Sequence, residues 1–282
     1  MTGPQGRLRL AGKVAIITGA SRGLGQFCAV GYAREGAKVA IAARTEQVKD
    51  PQLPGTIYET AKLVEEVGGE ALAISCNVAD PESVEKMTQQ VLQKWGQIDI
   101  VMTNAAVQPP GMISTITPKY WELEFKVNVH GPFYCIRAAL PSMKERKQGN
   151  IINVSSVAAL GGSHYGATKR AVEAMTVGLA GELRGSGIAV NAMKPVGAIE
   201  TPGLLYDRSA GRVGAARRPR NFPLPGPESY VEAAILLALQ TPETFTGRVH
   251  NDAELIERLA DDATKERFRT ANPPNWVAAM TA

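Results

Sequence analysis

The chain has 282 residues, 44% of them hydrophobic, enough to bury a large core as one α/β domain. Its 31 basic and 27 acidic residues leave a formal charge of +4 and lie scattered, so nucleic-acid binding has little support. No apolar run approaches the ~20 residues of a membrane span, and the opening MTGPQGRLRLAGK lacks the apolar core of a signal peptide. The expectation is a soluble, cytoplasmic protein that does not engage a membrane.

Residues 14–25, VAIITGASRGLG, join a β-branched apolar run to glycines at 19, 23 and 25, followed by helical apolar spacing. The glycines therefore sit at a strand-to-helix turn, where unpaired N–H groups and side-chain-free positions suit a pyrophosphate. Alone, such a triplet is equally a tight turn. Further apolar runs at 37–43, 70–75, 98–103, 150–154 and 187–193 read as strands, each separated from the next by helical spacing. The alternation predicts a doubly wound parallel sheet with helices on both faces, a single Rossmann domain over residues 1–282.

Between the second and third strands, KDPQLPGTIYETAKLVEEVGG predicts a surface loop giving way to a helix. Cys28, Cys76 and Cys135 lie in apolar patterns without metal spacing and read as buried free thiols. After the sixth strand, residues 200–226 mix glycine, proline and arginine; loops beyond the carboxyl ends of a parallel sheet border its crevice, so this segment reads as a substrate lid. A helix follows around 230–239. The charged, proline-bearing tail at 252–282 carries no legible role.

Tyr165 and Lys169 are four apart on a predicted helix and share its face. A phenol of pKa about 10 is protonated near neutrality, and a neighbouring ammonium lowers that value, so the pair can exchange a proton. Ser155 and Ser156 end the fifth strand at the same sheet edge as the glycine turn. His164 reads either as a group at the pocket mouth or as a helix-start residue without a chemical role.

The motifs TGASRGLG, NAA at 104–106, Asn128 in NVHG, Ser155-Ser156, YGATK at 165–169 and the stretch 195–201 occur in the order that resembles the classical short-chain dehydrogenase/reductase superfamily, over roughly residues 10–252. ARTEQVKDPQLPGTIYETAKLVEEVGGEAL, IAVNAMKPVGAIETPG and TFTGRVHNDAEL look like its hydroxysteroid-dehydrogenase-like and citronellol-dehydrogenase-like branch. The resemblance implies Tyr165 as general acid in carbonyl reduction and general base in alcohol oxidation, and Lys169 lowering its pKa and binding the nicotinamide ribose. It further implies Ser156 on the substrate oxygen and Asn128 on a water-linked proton path. The nine-position separation of Ser156 and Tyr165 is several residues shorter than the family's, so Ser155 and Ser163 stay open beside Ser156, although Ser163 also fits a helix N-cap.

Cofactor contacts implied by the resemblance are Gly19, Ser21, Arg22, Gly23, Leu24 and Gly25, then Arg44, Asn77, Val78, Asn104, Ala105 and Ala106, with Tyr165, Lys169, Pro195, Ile199 and Thr201 completing the set. Asn77 stands where the family has an aspartate, Ala106 where it has glycine, and Thr103 where it has asparagine. At the end of the second strand Ala43 precedes Arg44 with no carboxylate to repel a phosphate. Arg44 and Arg22 could each bond the 2′-phosphate of NADP, worth roughly 1.5–3 kcal/mol apiece. NADP is the expected cofactor.

The reading is an NADP(H)-dependent carbonyl reductase or alcohol dehydrogenase acting on a lipophilic or bulky small-molecule ketone or secondary alcohol. The family also implies a homo-oligomer, tetramer or dimer. A 3-oxoacyl thioester reductase is the alternative, favoured by Arg212, Arg217, Arg218 and Arg220 in the lid. A catalytically silent dinucleotide-binding protein is the rival from another class.

Overall fold

The computed structural model describes residues 8–209 and 226–271. Among these residues seven strands run β1 (Val14–Thr18), β2 (Lys38–Ala43), β3 (Glu70–Ser75), β4 (Ile100–Thr103), β5 (Gly149–Val154), β6 (Ile188–Lys194) and β7 (Val249–Asn251). They form one sheet in the order β3-β2-β1-β4-β5-β6-β7, and every pair is parallel. Parallel neighbours need crossovers, and these are the helices α1 (Gly23–Arg34), α2 (Ile57–Glu66), α3 (Pro81–Trp95), α4 (Pro118–Phe125), α5 (Gly131–Arg146) and α6 (His164–Glu182). Chain order reverses between β1 and β4, which opens a crevice beyond their carboxyl ends. The six predicted strands are all present, with bounds that move by at most two residues.

Alternation along β1 divides the core in two. Ala15 and Ile17 point to one face, packing with Cys28 and Tyr32 of α1 and with Tyr230 of α8 (Glu228–Ala238). Val14 and Ile16 point to the other, with Met87 and Val91 of α3 and Ile136 and Met143 of α5. Strands buried on both faces read as unbroken apolar runs, which is why they were legible. All three cysteines are free and buried, as expected. No helix among the described residues is long and apolar enough to cross a membrane.

The strand β7 escaped the sequence reading because three half-buried residues carry no period. The tail beyond it holds α9 (Asp252–Leu259) and α10 (Asp262–Ala271). Asn251 and Glu254 form a capping box at the start of α9, a four-residue signature that was available in the sequence. Of the expected lid, α7 (Pro202–Ser209) is described, whereas the four lid arginines lie outside the described residues.

Candidate active site

The turn after β1 is built by glycines with different duties. Gly19 has φ +67°, and a Cβ there would come within 2.7 Å of the Ala105 Cα; one on Gly25 would meet Asn104 Nδ2 at 2.5 Å. These two positions let the turn press against the end of β4. Gly23, at φ +61°, would meet nothing nearer than Thr201 at 3.5 Å, so it faces the crevice. Asn104 Nδ2 donates to the Thr18 carbonyl at 2.8 Å, and Thr18 Oγ1 accepts from the N–H groups of Asn104 and Ala105. Thr18, unremarked in the sequence, thus holds the two strand ends together. Arg22 precedes α1 with extended backbone and no side-chain cap, leaving first-turn N–H groups directed at the crevice.

A continuous cleft runs across this edge. Gly19, Ser21, Arg22, Gly23 and Leu24 form its floor; Arg44, Asn77 and Val78 line one end, and Asn104, Ala105, Ala106, Pro195, Ile199 and Thr201 line the rest. Of the expected cofactor positions only Gly25, Tyr165 and Lys169 stand outside that lining, Gly25 because it lies beneath the turn. Asn77 Oδ1 accepts from Ala79 N–H at 3.3 Å, so its amide also shapes its own loop. Thr103 Oγ1 donates to Asn153, whose Nδ2 donates to Thr176, a buried chain joining β4, β5 and α6.

Arg22 is differently employed than expected. Its Nε and Nη2 donate to the carbonyls of Pro54 and Gly55 at 2.9 and 3.0 Å, clamping the loop before α2 over the glycine turn. Arg22, Arg44, Thr45, Lys49, Asp50 and Leu53 border an annex beside it. Lys49 was not singled out from the sequence, since one lysine in a polar loop carries no pattern.

Asn128 lies in a π-helical turn, Lys126–His130, between α4 and α5. Its Oδ1 accepts from Val107 N–H at 2.8 Å, and its Nδ2 donates to the Val107 carbonyl and to Thr168 Oγ1. It therefore fastens the cleft wall at Val107 to the helix carrying Tyr165. π-turns inside helices recur at functional sites.

Hydrogen bonding sets Ser155 apart from the other two candidate serines. Ser155 is buried and its hydroxyl donates to Glu173 at 2.8 Å. Ser163 accepts from Gly166 N–H at 2.9 Å and caps α6. Ser156 accepts from Ala158 N–H at 3.2 Å at the head of a short 3₁₀ turn, Val157–Leu160, which fills the trimmed connection. Ser156 and Ser163 both act as acceptors here and keep their hydroxyl hydrogens available, whereas Ser155 has committed its own to Glu173.

Lys169 is 2% exposed; its Nζ donates to the Val154 carbonyl at 2.8 Å and lies 5.5 Å from the Tyr165 ring centroid. Burial lowers its ammonium to about 8. The expected lowering of Tyr165 is not what the structure shows: burial, assisted by the Glu124 carboxylate, pushes the phenol well above its usual value. Desolvation of a would-be phenolate is the larger cause and the Glu124 charge the second. His164 is buried rather than at a pocket mouth, with Nδ1 2.7 Å from Glu124 Oε2.

Asp252 is a further residue that sequence reading missed. Buried at the start of α9, it accepts from Val196 N–H at 2.6 Å and from Ser229 Oγ at 2.9 Å, holding the 195–201 wall of the cleft.

Residues 13–209 match the short chain dehydrogenase family. The chain belongs to this family. It is 34% identical over 262 residues to hydroxysteroid dehydrogenase-like protein 2 of Homo sapiens, an alignment covering 88% of this chain and 58% of that protein. The chain thus spans less than two thirds of that relative. It is 31% identical over 246 residues to a 3-oxoacyl-(acyl-carrier-protein) reductase of Thermotoga maritima, covering 86% of this chain and 96% of that one. Among solved structures, a short chain dehydrogenase of Mycobacterium thermoresistibile superposes with a TM-score of 0.77 at 31% identity, covering 89% of both chains. A short-chain dehydrogenase/reductase of Mycobacterium marinum gives 0.72 at 30% identity over 86% of this chain and 95% of that one. The family is one of oxidoreductases that use a nicotinamide dinucleotide. The uncapped α1 N-terminus and the open Gly23 fit the pyrophosphate of such a cofactor.

Proposed function

We propose that this short-chain dehydrogenase interconverts a lipophilic ketone and its secondary alcohol with NADP(H), using Tyr165 to exchange the proton. Bound NADP(H) supplies or accepts the hydride. Gly19, Ser21, Gly23 and Leu24 would hold the pyrophosphate, and Arg44 with Lys49 the 2′-phosphate, in an annex whose lining carries three cationic side chains, Arg22, Arg44 and Lys49, against the single carboxylate of Asp50. Ser156 donates to the substrate oxygen. Tyr165, held protonated near neutrality by burial, gives its proton as the carbonyl is reduced. Lys169 and Asn128 hold the Tyr165 helix against Val154 and Val107.

One observation carries the lipophilic assignment. Met112 and Ile113 after β4, Leu160 after β5 and Leu205 in α7 stand 68%, 58%, 73% and 47% exposed, all on segments that leave the carboxyl edge of the sheet. Apolar side chains gathered at one edge favour a bulky apolar substrate, at about 25 cal/mol per Å² of surface buried. A 3-oxoacyl thioester is the second reading, supported by the likeness to the Thermotoga maritima reductase.

The test follows NADPH absorbance across aryl ketones, terpenoid ketones, steroids and 3-oxoacyl thioesters of graded size. The expected result is a kcat/KM that rises with apolar bulk, together with a Tyr165→Phe enzyme that binds NADPH normally and turns over at least about a hundredfold more slowly, the lower bound of the usual general-acid range of ~10²–10⁴. A fall with bulk removes the lipophilic assignment, and an active Tyr165→Phe enzyme removes the proton assignment.

A further inference from the structure

Directly beside Tyr165 lies a buried acid–base pair that the mechanism above does not use. Glu124 of α4 is 0% exposed and His164, at the start of α6, is 3% exposed. His164 Nε2 lies 2.9 Å from the Gly111 carbonyl, and a carbonyl only accepts, so Nε2 carries a hydrogen. His164 Nδ1 and Glu124 Oε2, two atoms that both accept when unprotonated, lie 2.7 Å apart. A proton must occupy that contact. Glu124 Oε1 is buried with no hydrogen-bond partner among the described residues. A carboxylate in that position would leave half of its charge unsolvated, whereas a protonated carboxyl leaves only a neutral oxygen.

The surroundings offer little to neutralise the pair. The 104–117 segment, NAAVQPPGMISTIT, supplies the Gly111 carbonyl and has no titratable side chain. On the π-helical turn Lys126 and His130 are exposed, and on α4 itself Lys119 and Glu122 are exposed. On α6, Glu173 is engaged by Ser155, Lys194 and Arg170. Lys169 and Tyr165 remain, and both feel the Glu124 charge, which opposes ionisation of the phenol and favours the ammonium.

We propose that Glu124 and His164 are positioning residues for Tyr165: the pair shares one proton, anchors the 104–117 segment to the start of the catalytic helix, and through its charge sets the pH at which Tyr165 exchanges its own proton. The inference rests on the proposed role of Tyr165. With the shared proton in place the pair is neutral overall. Its loss puts a full negative charge next to the phenol, which then holds its proton more tightly. The pair therefore keeps Tyr165 in the donor form as pH rises, favouring carbonyl reduction over alcohol oxidation.

Glu124→Gln keeps the shape and can still donate to His164 Nδ1, while Glu124→Met keeps the volume and loses the hydrogen bond. Two readouts are compared. One is the tyrosinate absorbance of the NADP⁺ complex as pH rises, taken as the difference from the same protein carrying Tyr165→Phe. The other is the pH profile of alcohol oxidation. Both variants are expected to lower the Tyr165 midpoint by on the order of one pH unit, with about a tenfold gain in oxidation rate on the acid side of the profile. An unmoved midpoint in Glu124→Gln overturns the inference. So does a loss of activity in Glu124→Met that Glu124→Gln rescues without any midpoint change, since that describes structural support alone. Failure of the Tyr165 assignment shows separately, as an active Tyr165→Phe enzyme.

Discussion

Asp252 Oδ1 accepts a 2.6 Å hydrogen bond from the backbone N–H of Val196, tying the first residue of α9 to the wall of the dinucleotide cleft. The second carboxylate oxygen takes the Ser229 hydroxyl, so one buried side chain joins three segments far apart in sequence. A residue near the far end of the chain thus helps to hold the shape of the site.

Asp252→Ala leaves the Val196 N–H and the Ser229 hydroxyl buried without that partner, a loss of roughly 1–3 kcal/mol of stability. NADPH affinity should fall with it, because Pro195, Ile199 and Thr201 line the cleft beyond Val196. Thermal unfolding and fluorescence titration with NADPH measure the two effects. Unchanged affinity in a destabilised variant would confine Asp252 to folding.

Lys169 titrates at about 8 in the folded chain, against 10.5 for a free lysine. Below about 8 both folded and unfolded chains carry the proton, and the folded state bears the whole cost of burying it. Between about 8 and 10.5 only the unfolded chain binds the proton, so stability contributed by this group rises with pH across that window. Lys169→Met removes the charge and also the bond to Val154. It should be more stable than the parent at neutral pH by about 1–3 kcal/mol, with the advantage shrinking toward 10.5, while turnover collapses. Denaturant melts at the two ends of the window check the sign; a Met variant weaker at neutral pH contradicts it.

Arg44 and Arg22 should now behave differently. Arg44→Ala should weaken NADPH about 10- to 100-fold and leave NADH almost untouched, as expected of one charge-assisted bond of ~1.5–3 kcal/mol. Lys49→Ala should act in the same direction with a smaller effect, its ammonium being exposed. Arg22→Ala releases Pro54 and Gly55 and should weaken both cofactors alike. Steady-state constants with NADPH and NADH separate the three; equal losses for Arg44→Ala would mean that it does not meet the 2′-phosphate.

The sheet, its parallel character and the cleft-facing glycines were legible in the sequence because each rests on a local pattern. A doubly buried strand must be continuously apolar, and a turn at positive φ beside a neighbouring strand must be glycine, so residues 14–18 and Gly19 announce themselves. The Tyr165–Lys169 spacing is likewise a property of one helix. The tertiary structure decided what depends on partners distant in the chain. Glu124 meets His164 across 40 positions, Arg22 reaches Pro54 across 32, and Asp252 reaches Val196 across 56. Which serine spends its hydroxyl hydrogen inside the fold, and which way burial moves the Tyr165 proton, depend on desolvation and hydrogen bonds that exist only once those segments have packed.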